Sequence, residues 1–232
     1  MVFLIAEIGV NWDGDLKLVE EMISKSKEVG CNAVKFQSFT EELVKEHPKW
    51  KLLMKSSISK NNIEQINNIS KKIGIEWFCT PMHVDAVKLL EPYVNRYKIR
   101  FSDGVTIIQN KKSEIFEAIL ETKKDIIISS QQSPKNCQHY SNSKIKWLYC
   151  VPKYPCNVGD LDFKNIQDFD GYSNHFPNIA GPITSCMLGA EIVEVHITSS
   201  KSKDFVDNSV SFDYQELEEM VRIIRTFEQI KK

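Results

Sequence analysis

Residues 1–39 read MVFLIAEIGVNWDGDLKLVEEMISKSKEVGCNAVKFQSF and contain the unit that decides the fold. The apolar run over 2–10 is typical of a buried strand. Apolar residues at helical spacing follow it as far as Gly30, a residue type that commonly ends helices. A second strand-like run covers 33–39. Because two strands separated by a helix form the elementary unit of parallel sheets, this stretch predicts an α/β fold.

The same alternation continues to the end of the chain. Eight short strands, most of them followed by a helix, predict a closed (β/α)₈ TIM barrel formed by residues 1–232 as a single domain. A typical barrel has about 250 residues, so this one is lean. The predicted strands cover residues 2–10, 33–39, 75–80, 96–101, 125–129, 145–151, 171–173 and 191–198.

One unit of the predicted barrel is incomplete. The segment QQSPKNCQHYSNSK, residues 131–144, is polar, lacks an apolar stripe and contains a proline, so we expect a loop in place of the fifth helix. The missing helix would leave apolar strand surface that a partner copy or a rearranged loop must cover. An open doubly wound sheet is the alternative architecture, but AEIGVNWDGD, residues 6–15, lacks the GxGxxG phosphate turn of that fold.

Composition and charge exclude several classes of protein. The chain has 30 Lys+Arg and 31 Asp+Glu, whereas a charge-driven nucleic-acid binder has a clear basic excess. No apolar stretch approaches the ~18–20 residues of a membrane span. The N-terminus lacks a basic region and contains Glu7, which argues against a signal peptide. The six scattered cysteines form no CxxC pair and predict a reducing, cytoplasmic compartment.

Polar residues concentrate at the ends of the predicted strands, where TIM barrels carry their chemistry. Lys35 and Lys98 lie at matching depth in the second and fourth strands. They predict a cradle for a phosphate or carboxylate, although snorkelling lysines are the alternative. His175 and His196 end neighbouring strands, where two imidazoles can converge on one divalent ion or serve as ordinary hydrogen-bonded residues. Glu7 is either a base or a paired structural carboxylate.

Seven blocks of the sequence resemble, in order, the N-acetylneuraminate (sialic acid) synthase family. AEIGVNWDGDL (6–16) resembles the AEIGxNHNGD opening of that family, and AVKFQSF (33–39) is similar to its second-strand motif. The resemblance covers nearly the whole chain, and seven ordered blocks are far more specific than any single one. The later blocks are WFCTP (77–81), YKIRFSD (97–103), LYCVPKYP (148–155), GYSNH (171–175) and GAEIVEVHIT (189–198).

The resemblance implies a barrel that condenses phosphoenolpyruvate with the open-chain aldehyde of an N-acylated hexosamine. The products would be a nine-carbon 2-keto acid, a nonulosonic acid, and phosphate. It also implies a divalent cofactor, Mn²⁺ or Mg²⁺. The expected partners are these small molecules, with neither nucleic acid nor membrane. Because the sequence has no counterpart of the family's C-terminal antifreeze-like domain, a homodimer or a separate lid protein is expected as well.

The resemblance also implies roles for individual residues, carried over from matching motif positions. His175 and His196 match the metal ligands, and Glu7 and Asp103 are the expected catalytic carboxylates. The positions that hold phosphoenolpyruvate are Lys35, Thr80, Lys98, Ser129 and Ser173. The expected sugar-binding residues are Glu7, Gln37, Tyr154 and Asp207.

Five positions depart from the family pattern: Trp12, Arg100, Phe101, Asp103 and Pro152. Asp103 stands where the family usually has a catalytic glutamate. We interpret the departures as lying on the sugar side, so that phosphoenolpyruvate chemistry is kept and acceptor recognition is altered. A degenerate, catalytically silent barrel that acts as a sugar-binding or accessory subunit is the second hypothesis. A metal-dependent aldolase or isomerase with a non-phosphorylated donor is the third.

Overall fold

Eight parallel strands close into a barrel in sequential order in the computed structural model, which describes residues 1–231. The TIM barrel predicted from the sequence is therefore confirmed. Most strand residues are buried on both faces because one face lines the barrel interior and the other lies under the outer layer. The strands are β1 Phe3–Gly9, β2 Ala33–Ser38, β3 Glu76–Pro81, β4 Arg96–Ile99, β5 Asp125–Ser130, β6 Ile145–Cys150, β7 Gly171–Asn174 and β8 Ile192–His196.

The helices of the outer layer begin and end at recognisable capping residues. The side chain of Asp15 accepts hydrogen bonds from the backbone N–H groups of Lys17 and Leu18, and the helix that follows ends at Gly30 in the left-handed conformation. Within residues 1–231 the α-helices are α1 Leu16–Val29, α2 Glu41–Val44, α3 Trp50–Ser56, α4 Ile63–Ile73, α5 Val84–Leu90, α6 Phe101–Ile108, α7 Glu114–Glu121, α8 Ala180–Met187 and α9 Tyr214–Ile230.

Two connections of the barrel lack an α-helix. Residues 131–144, between β5 and β6, contain only a 3₁₀ turn, as the sequence predicts. Residues 151–170, between β6 and β7, contain two 3₁₀ turns, which the sequence reading did not anticipate. The loop over residues 131–144 itself covers the strands where the fifth helix is missing. Pro134 and Cys137 are buried, and the ring of His139 packs edge-on against Phe116.

The predicted boundary of the fourth strand is wrong. The sequence reading extends this strand to Phe101, but β4 ends at Ile99 and α6 begins at Phe101. An apolar run this short fits a strand or the first turn of a helix equally well, so periodicity alone does not locate the change. The shift matters because the residues after β4 contribute to the mouth of the barrel.

Gly104 allows α6 to lie directly against β5. A Cβ atom built on Gly104 would lie 2.1 Å from the carbonyl oxygen of Ser129. No rotation of a side chain relieves a contact with backbone, so a larger residue would force the helix away from the strand. The close approach therefore fixes α6 beside the end of β5.

We expect Gly104→Ala to lower the free energy of unfolding by about 1–3 kcal/mol, the usual cost of overpacking an interior. Urea denaturation followed by circular dichroism measures the change. Gly159→Ala is the matched control, because a Cβ atom built on Gly159 meets nothing within 4 Å. Equal midpoints for the two variants would contradict the packing argument.

Candidate active site

A cavity of about 280 Å³, here called the mouth cavity, opens at the C-terminal ends of the strands. All the site residues predicted from the sequence except Asp103 and Asp207 lie in its wall. Those in the wall are Glu7, Lys35, Gln37, Thr80, Lys98, Ser129, Tyr154, Ser173, His175 and His196. The wall also contains Met82, Arg100, Phe101, Ser102, Cys150, Pro152 and Glu194.

A buried ion cluster occupies the side of the mouth cavity formed by β1, β2 and β8. Lys35 Nζ lies 2.9 Å from Glu7 Oε1 and 3.7 Å from Glu194 Oε1, and it donates a hydrogen bond of 3.2 Å to Thr80 Oγ1. The hydroxyl of Ser173 donates to Glu194 Oε1 at 2.9 Å. The second carboxylate oxygens of both glutamates are buried without a hydrogen-bond partner among the described residues. Each of these oxygens can accept a hydrogen bond from a bound molecule.

Gly9 at the end of β1 makes room for this cluster. Its φ of +53° lies in the left-handed region, and the pairing of β1 with β2 shifts register between Glu7 and Gly9. A Cβ atom at Gly9 would lie 3.1 Å from Glu7 Oε1 and 3.2 Å from Gln37 Nε2. Glycine thus leaves Gln37 free to donate to Glu7 Oε1 at 2.8 Å.

Lys98 supplies a second buried ammonium group but forms no salt bridge within residues 1–231. Its Nζ donates to Ser129 Oγ at 2.6 Å and to the carbonyl oxygen of Ile99 at 2.9 Å, and both acceptors are neutral. The residue is only 2% exposed. Burial lowers the pKa of Lys98, since the charged form loses its hydration. A buried cation without a carboxylate beside it favours an anionic ligand at this point.

The two glutamates of the cluster have pKa values displaced in opposite directions. Burial raises the pKa of Glu7, the charge of Glu194 adds to the rise, and Lys35 opposes it without cancelling it. Burial acts on Glu194 in the same sense, but Lys35, Lys98 and His196 outweigh it and lower the pKa of Glu194 to about 2. Such a divergence separates a carboxyl group suited to proton transfer from one that stays ionised.

The two histidines lie side by side, with ring centroids 5.4 Å apart. Burial lowers the pKa of His175 to about 4 and that of His196 to about 3, and His175 adds to the effect on His196. Both rings are therefore neutral near pH 7, which is the form that binds metal ions.

The hydrogen bonds of these rings suit a divalent metal. His175 Nδ1 lies 2.7 Å from the carbonyl oxygen of Val151 and must donate to it, which leaves Nε2 as an acceptor. This Nε2 atom now accepts from the hydroxyl of Tyr154 at 2.6 Å. His196 Nδ1 is buried without a partner among the described residues. Two neutral nitrogens are an incomplete ligand set, and no cluster of three or more His, Cys, Asp or Glu side chains completes it within residues 1–231.

Two of the predicted site residues lie outside the wall of the mouth cavity. Asp103 lies in the first turn of α6, where its Oδ2 atom is 2.8 Å from Arg100 Nε. Asp207 Oδ2 lies 3.8 Å from His196 Nε2, just behind the wall. Burial raises the pKa of Asp207 to about 7, and the charge of Glu7 adds to the rise. The geometry thus keeps Asp207 near the site and turns Asp103 towards Arg100.

Glu194 is the functional residue that the sequence analysis left without a role. In EIVEVH, residues 191–196, Glu194 and His196 are two positions apart, so both point into the barrel. Their shared parity was the signal that could have assigned Glu194 to the site. Trp12, in contrast, is a core residue: it is 1% exposed, and its indole N–H donates to the carbonyl oxygen of Gly9.

A larger cavity of about 1020 Å³ lies at the opposite end of the barrel, where the strands begin. None of the predicted site residues lines it. Arg96 in its wall already forms a two-point ion pair with Glu76, and Arg225 pairs with Glu228. The chemistry therefore belongs to the smaller mouth cavity. No helix within residues 1–231 has the length and apolar character needed to cross a membrane.

Comparisons with known proteins identify the family of the chain. A family model described as "NeuB family" matches residues 22–232. The uncharacterized protein MJ1065 of Methanocaldococcus jannaschii is 30% identical over 98% of this chain and 71% of its own length. The N,N'-diacetyllegionaminic acid synthase of Legionella pneumophila is 27% identical over 98% of this chain and 72% of its own length. The crystal structure of N-acetylneuraminic acid (sialic acid) synthetase from Leptospira borgpetersenii, in complex with citrate, has a TM-score of 0.86 and 28% identity, covering 99% of this chain and 84% of that one.

Proposed function

Since the chain belongs to the NeuB family, we propose that it catalyses the condensation of phosphoenolpyruvate with the open-chain aldehyde of an N-acylated hexosamine. The reaction joins C3 of the donor to the aldehyde carbon, water adds at C2, and phosphate departs. The products are a nonulosonic 2-keto acid and inorganic phosphate. The relatives support a phosphoenolpyruvate-dependent condensation of this general kind. The identity of the acceptor sugar goes beyond what they support.

The observation that carries the proposal is the buried, unpaired ammonium group of Lys98 in the mouth cavity. A small donor with phosphate and carboxylate groups supplies the missing negative charge. Lys35 lines the same cavity, and side-chain hydroxyl groups contact the charged groups of its wall. These hydroxyls belong to Thr80, Ser129 and Ser173. Lysine binds phosphate as a point charge, so two lysines and several hydroxyls suit a compact polyanion.

We assign proton transfer to Glu7. Burial raises the pKa of Glu7 and so favours its protonated form, and its Oε2 atom has no other partner among the described residues. Glu194, with its lowered pKa, stays ionised and balances Lys35 and Lys98. The aldehyde oxygen must gain a proton when the new bond forms, and the attacking water must lose one. Asp103 takes no part in this scheme because it pairs with Arg100 outside the cavity wall.

The acceptor sugar is proposed to bind on the open side of the mouth cavity. Tyr154 is 55% exposed there, although its hydroxyl reaches His175. Gln37 and Glu7 form the adjoining wall, and Asp207 lies behind it. These residues offer hydrogen-bond donors and acceptors suited to sugar hydroxyl and amide groups. Closure of this side by a second copy or by a separate lid protein remains part of the proposal.

His175 and His196 would hold a divalent cation, Mn²⁺ or Mg²⁺, together with water or substrate oxygens. When bound, such a cation polarises a carbonyl group and stabilises the negative charge that develops on its oxygen. The neutral rings and the fixed donor Nδ1–H of His175 suit this role. The six free, buried cysteines further support the cytoplasmic location expected from the sequence.

We expect His175→Ala and His196→Ala each to weaken Mn²⁺ binding by at least about 10- to 100-fold, the range for loss of an outer-shell partner, because each removes one of two protein ligands. Isothermal titration calorimetry of metal-free protein measures the affinity. His47→Ala is the control, since His47 is exposed and does not line the cavity. Unchanged affinity in both alanine variants of the pair would refute the metal assignment.

The function is tested by phosphate release. Purified protein is incubated with phosphoenolpyruvate, Mn²⁺ and a panel of N-acylated hexosamines, and the release must depend on both donor and acceptor. Mass spectrometry of the product checks that a nine-carbon acid has formed. If no sugar gives phosphate and calorimetry detects no donor binding, the proposal fails.

A silent accessory barrel is the second candidate function. The position of Asp103 favours it, because the carboxylate at the family's usual catalytic position is held by Arg100 instead of facing the cavity. This candidate predicts donor or sugar binding without turnover. Binding by calorimetry together with no product across the whole panel would therefore favour it.

A further inference from the structure

Arg100 places a guanidinium group in the wall of the mouth cavity. The residue follows β4 directly and precedes α6, and its side chain is 38% exposed. Arg100 is one of the five positions at which the sequence departs from the pattern of the family it resembles. A long cationic side chain at the entrance of the mouth cavity can bind an anionic group there.

The guanidinium is held on one side and free on the other. Its Nε donates to Asp103 Oδ2 at 2.8 Å, and its Nη1 points to Met82 Sδ at 3.3 Å, a weak thioether acceptor. The Nη2 group has no hydrogen-bond partner among residues 1–231. Asp103 therefore orients the group and leaves its terminal N–H donors available.

Charge is distributed unevenly around the mouth cavity. Both carboxylates of the wall, Glu7 and Glu194, lie at Lys35 on the side of β1, β2 and β8. Lys98 and Arg100, at the end of β4, have no carboxylate of the cavity wall within 4 Å. The acidic partner of Arg100 is Asp103, which lies outside the wall. The β4 side thus has an excess of positive charge.

We propose that Arg100 is a specificity-determining residue that binds a phosphate group at the β4 side of the mouth cavity, next to Lys98. This inference rests on the proposed function and deepens it. A guanidinium contacts two phosphate oxygens with two parallel N–H groups, and a lysine beside it adds a point charge. The phosphate belongs either to the donor or to a phosphorylated acceptor sugar, and the two sources are separable by experiment.

The first test uses inorganic phosphate as the probe, with affinity measured by calorimetry. We expect Arg100→Gln to bind phosphate about 10- to 100-fold more weakly, the effect of losing charge-assisted hydrogen bonds. Arg100→Lys keeps the charge but not the two-point contact, and it should bind with intermediate affinity. Arg222→Gln removes the same charge from an exposed position on α9 and should match the wild type. Thermal unfolding establishes that each variant is folded.

The second test identifies the source of the phosphate by steady-state kinetics. If the donor supplies it, Arg100→Gln raises KM for phosphoenolpyruvate with every acceptor. If the acceptor supplies it, KM rises for hexosamine 6-phosphates and stays unchanged for the neutral sugars.

Two results overturn the inference: wild-type protein that does not bind phosphate, or folded Arg100→Gln that binds it as the wild type does. Phosphate binding that depends on Arg100, combined with no turnover on any sugar, keeps the inference and rejects the proposed activity. The two proposals can therefore fail separately.

Discussion

Lys98→Met is expected to weaken phosphoenolpyruvate binding by about 100- to 1,000-fold, the effect of removing one partner of a buried charge pair. The same substitution should raise the free energy of unfolding of the ligand-free protein by about 1 kcal/mol. Lys98 is buried, lacks a carboxylate partner and has a lowered pKa, so its charge destabilises the empty fold. Methionine fills a similar volume without that charge.

Calorimetry with phosphoenolpyruvate and urea denaturation without it measure the two effects on the same protein. Lys164→Met is the matched control, since Lys164 is exposed on the loop after β6. A purely structural lysine would give the opposite pattern, with lower stability and unchanged donor affinity. That pattern would also remove the main support for the proposed function.

Glu194→Gln should lower the free energy of unfolding by about 3 kcal/mol at pH 7. Glutamine has the same shape but no charge. Lys35 therefore keeps only Glu7 as its ion-pair partner, and Lys98 loses the negative charge of Glu194. A pKa lowered from 4.5 to about 2 corresponds to roughly this energy, at about 1.4 kcal/mol for each unit. The cost is also in the range for breaking a buried ion pair.

The pH dependence of this effect has a definite sign. Because the pKa of Glu194 is lower in the folded state, its contribution is complete above about pH 4.5 and is lost as the pH falls towards 2. The difference between wild type and variant should therefore stay constant from pH 7 to about pH 5 and shrink from there towards pH 3. Urea denaturation at several pH values measures it, with Glu191→Gln, an exposed position just before β8, as the control. Equal losses in the two variants would contradict the ion-pair argument.

The barrel and most of the mouth cavity could be predicted because both follow from local patterns. Strand-end residues share one rim in a closed barrel, so Lys35, Lys98, His175 and His196 had to lie near one another once the fold was fixed. Asp103 was different because its direction depends on whether residue 101 continues a strand or begins a helix. Sequence periodicity does not resolve that single residue, and the ion pair with Arg100 then decides where the carboxylate lies.

The balance of charge inside the cavity also lay beyond the sequence. Motif positions indicate which residues are polar, but they do not reveal that Lys35 forms salt bridges with two glutamates while Lys98 forms none with a carboxylate. Those relations depend on the register between strands, such as Ser173 opposite Glu194, and on which side chains share a layer. The opposite pKa displacements of Glu7 and Glu194 follow from this arrangement.

The two helix-free connections cover one flank of the barrel with loops instead of α-helices. Loops open locally at a lower free energy than packed helices, so we expect the region from β5 to β7 to open more readily than the rest of the barrel. This region carries Ser129, Ser173 and His175, while Lys35 and Glu194 come from the helix-covered half. A ligand that contacts both halves ties this region to the rest of the barrel, so substrate occupancy and rigidity of this flank rise together.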